Sequence, residues 1–295
     1  MTTEPALRVL SLGAGVQSTA LAVMSAVGDL PKVDAAIFAD TGWEPRAVYE
    51  HLDRLDAEVL APAGIPLHRV SQGNIRADAL DPEHRFASMP MFVRNPDGKK
   101  GMVRRQCTNE YKLKPIKRQV RQLLGYPHPR RVPRGMYVEQ WVGISRDEFM
   151  RAKSSDVKYA RNRFPLLELD MTRDDCAALL DAHGFGSTAK SACIGCPFHG
   201  NRQWRELRDT RPDEWADAVA FDEAIRNGTA RANAQGHTLR GQMYLHASLL
   251  PLAQAPIDRE RRRRGDALAE RENNDSSCGP FSCRGGDLDM QLATV

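Results

Sequence analysis

Apolar positions in the first forty residues fall into short, continuous runs. Arg8-Val9-Leu10-Ser11-Leu12 has strand length and stops at Gly13. Ser18 to Val27 is rich in Ala, Leu and Met and ends at Gly28, where the glycine that follows a helix is expected. Ala35-Ala36-Ile37-Phe38-Ala39 is again continuous and closes on Asp40. Strands without polar alternation are those a sheet covers on both faces, so this order predicts a βαβ unit whose two strands are parallel neighbours.

The rhythm continues down the chain. Ala47, Val48, Leu52, Leu55, Val59 and Leu60 form a stripe at helical spacing, while Leu67–Val70 and Trp141–Ile144 read as strands. Thr172, followed by Asp174 and Asp175, reads as the cap of a helix that runs to His183 and stops at Gly184. Past about residue 200 the strand patterns give out, and Arg202–Asp209, Pro212–Arg226 and about Leu239–Leu250 read as helices. The fold expected is α/β: a doubly wound, mostly parallel sheet over residues 1–200, a helical region over 201–258, and a basic, cysteine-containing tail over 259–295.

Composition narrows the class. Hydrophobic residues make up 41% of the 295, enough for an ordinary core and against global disorder. Val9 to Gly28 is a run of 20 uncharged residues, which raises a signal peptide or membrane helix. Gly13, Gly15, Gln17, Ser18 and Thr19 occupy its centre, and Glu4 sits where a basic start is required, so no membrane association is expected. The six cysteines, at 107, 176, 193, 196, 278 and 283, are too sparse for a secreted disulfide scaffold. They point to the cytoplasm and to metal or redox thiols.

Chemistry concentrates in a few segments. Ser11-Leu12-Gly13-Ala14-Gly15-Val16-Gln17-Ser18-Thr19 joins a strand to a helix, where small residues let backbone amides and the hydroxyls of Ser18 and Thr19 approach a phosphate. No Gly-Lys-Ser follows and the third glycine of a dinucleotide fingerprint is missing; glycines that only permit tight packing are the plain alternative. Asp40 ends the second strand, where open α/β sheets bind ligands, and reads as a Mg²⁺ or ribose partner or as a cap for the next helix. Cys193-Ile194-Gly195-Cys196 can present two thiolates to zinc, an iron–sulfur cluster or a redox partner; His199 keeps zinc open, and Cys176, between apolar neighbours, reads as core.

These segments resemble, in order, motifs of the PP-loop ATP pyrophosphatase superfamily and its phosphoadenosine phosphosulfate (PAPS) reductase-like family. Gly13-Ala14-Gly15-Val16-Gln17-Ser18-Thr19 is similar to the pyrophosphate loop Ser-Gly-Gly-x-Asp-Ser-[Thr/Ser], with Gly13 for the Ser and Gln17 for the Asp. Phe38-Ala39-Asp40-Thr41-Gly42 resembles Phe-x-Asp-Thr-Gly, and Cys107-Thr108-Asn109-Glu110-Tyr111-Lys112-Leu113-Lys114-Pro115 resembles Cys-Thr-x-x-x-Lys-x-x-Pro. Gly143 to Arg151, with Pro165-Leu166 beyond, resembles Gly-x-Arg-x-x-Glu-x-x-Arg then Pro-Leu with an offset at Arg146, and Cys193 and Cys196 match a Cys-x-x-Cys.

The resemblance implies an adenine nucleotide alpha hydrolase-like fold. It assigns nucleotide binding to Gly13, Ala14, Gly15, Gln17, Ser18, Thr19, Asp40, Thr41, Gly42, Gly143 and Arg146, with ATP and Mg²⁺ as cofactors. Cys107 is implied to converge with Cys193 and Cys196 on a [4Fe–4S] cluster. Its fourth ligand is left among Cys283, which is preferred, Cys278 and an open iron. Lys112, Asp40 and Cys283 are the implied catalytic residues.

Residues 94–134 hold thirteen Lys and Arg against Asp97 and Glu110, whereas the whole chain nets only +4. Such a band suits a polyanionic partner or, more plainly, a solvated helix face. With these features, the resemblance implies an ATP-dependent sulfurtransferase that adenylates a nucleic acid (tRNA or DNA) or nucleotide and takes sulfur or electrons from a donor. The alternatives are a PAPS or APS reductase, for which the Glu and His around the tail cysteine are missing, and a non-catalytic zinc protein that binds nucleic acid. Monomer and homodimer both stay open.

Overall fold

A computed structural model describes residues 4–85, 88–188, 191–237 and 239–259. In chain order these hold β1 (Leu7–Leu12), α1 (Val16–Val27), β2 (Ala35–Asp40), α2 (Arg46–Leu55), β3 (Leu67–Ser71), α3 (Ile75–Leu80), β4 (Phe92–Arg94), β5 (Lys100–Met102) and α4 (Lys114–Leu123). There follow β6 (Val138–Val142), β7 (Ala160–Arg163), α5 (Pro165–Glu168), α6 (Arg173–Ala182), α7 (Asn201–Thr210), α8 (Pro212–Ala224), α9 (Ala230–Ala234) and β8 (Gln242–Tyr244).

Five strands form one parallel sheet in the order β3-β2-β1-β6-β7. The chain winds outward from β1 to β3, then returns and continues on the other side through β6 and β7. The winding therefore reverses between β1 and β6, the point at which open parallel sheets hold ligands beyond their strand ends. The sheet is covered on both faces, which is why its strands read as continuous apolar runs. Leu10, Leu12, Ala36, Phe38 and Trp141 pack with α1, α2 and α6, where Cys176 is buried at 0% exposure in the core expected for it. Val9, Ile37, Ala39 and Val138 pack against Ile116 and Val120 of α4.

Two sequence expectations shift. The strand expected at Trp141–Ile144 is Val138–Val142 instead. Gly143, the residue after it, packs closely on the start of α1, since a Cβ there would come 2.9 Å from the backbone nitrogen of Ser18. The helix expected at Leu239–Leu250 is absent. Gln242–Tyr244 is a strand that pairs antiparallel with β4, completing a small sheet β5-β4-β8. Its partner lies about 150 residues upstream, so tertiary pairing overrides a locally helical composition.

A second core joins segments that are distant in sequence. Trp43, Tyr111, Ala192, Cys193 and Cys196 pack with Trp204, Phe221, Met243, Leu245 and Ile257. Trp43 donates its indole N–H to Asp217 at 2.6 Å, and Glu214 accepts from the backbone of Arg46 at 2.8 Å, fixing α8 to the loop after β2. Among the described residues no helix is long and apolar enough to cross a membrane. The uncharged run from Val9 is β1, a turn and α1.

Candidate functional site

The glycine turn lies at the reversal between β1 and β6. Ala14 adopts a left-handed φ of +55°, which aims successive amides to one side of the chain. The amides of Gly13 and Gly15 donate to a single oxygen, Ser18 Oγ, at 3.1 and 3.3 Å. One oxygen held by two turn amides above a helix start is the coordination a phosphate oxygen seeks. α1 spans 12 residues and carries no acidic residue in its first turn, so its positive end is left for an anion.

Thr19 does not join this cradle. Its side chain is 0% exposed and its hydroxyl lies 2.9 Å from His51 Nε2 on α2, because one residue along a helix turns the side chain by about 100°. Burial and the neighbouring Arg54 hold the His51 imidazole below its ordinary pKa, which keeps it neutral beside the hydroxyl.

Gln17 is buried and points to the segment after β6. It donates to Glu148 Oε2 at 3.2 Å and Ser145 Oγ at 3.4 Å, and accepts from Arg173 at 3.5 Å. An aspartate there would set two carboxylates side by side, which accounts for the amide. Residues Arg146–Arg151 form a 3₁₀ helix with three residues per turn, so Ser145, Glu148 and Arg151 share its inner face. Arg151 pairs with Glu148, whereas Arg146 turns outward to Asp170 at 2.7 Å. The arginine that reaches the turn's network is therefore Arg151, while Arg146, the one the sequence motif favoured, faces Asp170.

Burial pushes the Glu148 carboxyl up to about 7 despite Arg151 and Arg173 nearby. The folded protein thus binds a proton here that the unfolded chain has released, and this contribution to stability is lost as pH rises from the usual glutamate range through about 7. The Tm of wild type should fall more steeply than that of Glu148→Gln between pH 5.5 and 8, read by scanning calorimetry. Parallel curves would refute this.

The second half of the site forms where β2 ends. Asp40 Oδ1 accepts from Gly42 N at 2.7 Å and from the Tyr49 hydroxyl at 2.9 Å, so it braces the loop and α2, and it does not cap the helix start. Gly42 has φ +71°, and a Cβ there would meet Asn74 Cα at 2.9 Å. Thr41 Oγ1 donates to Glu44 Oε1 at 3.0 Å and lies 3.2 Å from Cys193 Sγ. Cys193 Sγ is itself 3.7 Å from Glu44 Oε1, and Lys112 Nζ is 3.6 Å from the same oxygen. The Asp-Thr-Gly loop, the thiol turn and Lys112 are thereby one buried unit around Glu44, a residue that sequence reading missed because no local pattern marks it.

Cys193-Ile194-Gly195-Cys196 is a tight turn, closed by Cys196 N donating to Cys193 O at 3.0 Å. Ile194 N donates to Trp43 O at 2.9 Å, and the Trp43 ring lies so close that a Cβ on Gly195 would sit 2.1 Å from it. Cys107 packs against the same core, and Arg105 stacks on Phe198 at 5.2 Å, tying its segment to the thiol turn. Cys107 opens a π-helical stretch, Thr108–Leu113, that leads into α4. Pro115 has no N–H to continue the usual ladder, which favours the wider turn there.

His199 Nε2 lies 3.0 and 3.2 Å from the carbonyls of Cys193 and Ile194, so this nitrogen buttresses the turn. Soft thiol donors suit an iron–sulfur group in kind. Among the described residues, however, no group of three or more His, Cys, Asp or Glu stands ready to hold a metal ion. Cys278, Cys283 and Arg261–Arg264 lie outside the described residues.

The basic band of the sequence is not one surface. Lys99 pairs with Asp97, Lys114 with Glu110 and Lys117 with Asp156. Arg130, Arg131 and Arg134 are exposed just before β6, at the end of the sheet opposite the glycine turn. Arg104, exposed three residues before Cys107, is on the thiol side.

No family model matches the chain, and no curated protein matches it either.

Proposed function

We propose that the protein is an ATP-dependent sulfurtransferase acting on a nucleic acid or nucleotide. The observation that supports it most is the pair of Gly13 and Gly15 amides converging on one oxygen at the winding reversal, with buried thiols anchored to the neighbouring strand end through Thr41. In this reading the turn and the start of α1 bind the triphosphate. Asp40 would hold Mg²⁺ together with the phosphates, since that ion needs only one or two protein carboxylates.

An acceptor oxygen attacks the α-phosphorus, the P–O bond to pyrophosphate breaks, and the turn amides stabilise the charge that develops. A hydrosulfide supplied by a donor then forms the C–S bond while AMP leaves with the oxygen, a sequence that requires no net oxidation. Cys107, Cys193 and Cys196 would hold the [4Fe–4S] cluster, with Cys283 as the fourth ligand; such a group supplies a bound site for sulfur. Lys112 stands beside Glu44 in this unit, which favours a role at the thiols over one at the phosphates. Arg104 suits a phosphate of the acceptor. The zinc alternative would have to use His199 through Nδ1, because its Nε2 faces the turn's carbonyls.

The test is release of labelled pyrophosphate with candidate acceptors after anaerobic purification, together with nucleotide affinity of Ser18→Ala. Removing a hydroxyl that organises the turn should weaken ATP about tenfold, the worth of one hydrogen bond to a charged group. An unchanged affinity overturns the phosphate reading.

A further inference from the structure

The small sheet β5-β4-β8 has two unlike faces. Val93 and Met243 point inward, buried in the core that also holds Cys193 and Cys196. The period of two puts Phe92, Arg94, Lys100, Met102, Gln242 and Tyr244 on the outer face, which carries cations and apolar side chains but no Asp or Glu. Met102 stands directly opposite Phe92 and is 40% exposed.

The cations on this face are oriented by rings and backbone carbonyls. Lys100 Nζ lies 4.6 Å from the centre of the Phe92 ring and donates to Ala247 O at 2.7 Å. Arg94 donates to Leu249 O and lies 5.0 Å from the centre of the Tyr244 ring. Such neutral partners fix the position of a positive charge without cancelling it. Tyr244 itself is buried beneath Arg94 and Arg226, so Phe92 and Met102 are the apolar contacts the face can offer.

Beyond β5 the chain carries the same pattern toward the thiols. Val103 N donates to Met91 O at 2.8 Å and Cys107 N to Ser88 O at 3.2 Å, so this segment keeps to the side of the one that precedes β4. Lys100, Met102 and Arg104 are exposed, while Gly101 and Val103 between them are partly buried. Alternate side chains on an extended chain are about 7 Å apart. A cation, an apolar side chain and a second cation therefore line a track that ends three residues before Cys107.

We infer that this face docks a single-stranded nucleic acid and leads it toward the thiol turn. The inference rests on the proposed function only for the acceptor being a nucleic acid. Phosphates meet Lys100 and Arg104, and a base stacks on Phe92 against Met102, the combination of charge and ring that holds unpaired strands. A duplex keeps its base faces stacked inside and can use the cations alone. An acidic peptide has charge to match but no flat rings for Phe92.

Fluorescence anisotropy of the full chain tests the assignment with labelled oligothymidylate of about sixteen nucleotides, the upper end of what one such surface covers. The single strand should bind about tenfold more tightly than its duplex with oligoadenylate, and polyglutamate should compete poorly. Phe92→Leu should weaken the single strand about tenfold with an unchanged salt dependence, the signature of a lost stacked base. Lys100→Gln and Arg104→Gln should each lower the slope of log affinity against log salt by about 0.7, and as exposed positions they keep the test readable if Phe92→Leu impairs folding. A duplex bound as tightly as the single strand, polyglutamate competing as well as unlabelled oligothymidylate, or three variants that bind like wild type overturns the inference. Oligothymidylate that does not bind, while pyrophosphate is released with a mononucleotide acceptor, overturns this inference alone. Oligothymidylate bound through these residues, with no pyrophosphate released for any acceptor, overturns the sulfurtransferase reading and leaves the docking face standing.

Discussion

Replacing Lys112 with methionine should destabilise the protein by about 3–5 kcal/mol, the usual cost of removing one partner from a buried ion pair. Lys112 and Glu44 are 7% and 0% exposed at their side chains, so neither charge is in water, and Glu44 Oε1 also receives Thr41 and faces Cys193. The loss falls mainly on the charge left behind. The double substitution Lys112→Met with Glu44→Gln should therefore recover much of the stability, by chemical denaturation, even though it removes both charges. If the double variant is as unstable as the single one, the pair is not what the unit depends on.

Gly195→Ala should cause a smaller but still large loss for a different reason. One methyl group would be placed 2.1 Å from a carbon of the Trp43 ring, closer than any van der Waals contact allows. Trp43 cannot easily move away, since its ring packs at 4.7 Å on Phe221 and its indole N–H is held by Asp217. The turn would have to yield, costing about 1–3 kcal/mol in strain. Thiol labelling supplies the local readout: Cys193 and Cys196, both buried, should become accessible to alkylation in Gly195→Ala under native conditions. Labelling as slow as in wild type would sink the prediction.

Much of the fold was legible because its central strands are buried on both sides. Leu10, Leu12, Ile37 and Phe38 have no solvent face to alternate with, and Gly28 and Gly184 stop their helices by adopting left-handed conformations open to glycine. The glycine turn was legible for the same local reason. What escaped depends on distant partners. β8 is a strand only because β4 is there, and Glu44 matters only because Thr41, Lys112 and Cys193 arrive around it from three parts of the chain. Thr19 and Arg146 were placed in the site by motif adjacency, yet helical geometry turns one toward His51 and the other toward Asp170.

The second core carries a consequence for how such a molecule can change over time. The glycine turn rests on β1 and α1 and also on the segment after β6, which meets it through Gln17 and Gly143. The thiol turn works more like a keystone, wedged between Trp43 from the early chain and Trp204, Phe221 and Leu245 from the late chain. A change in residues 201–259 would therefore reach the thiol turn, which they wall in, before it reached the glycine turn.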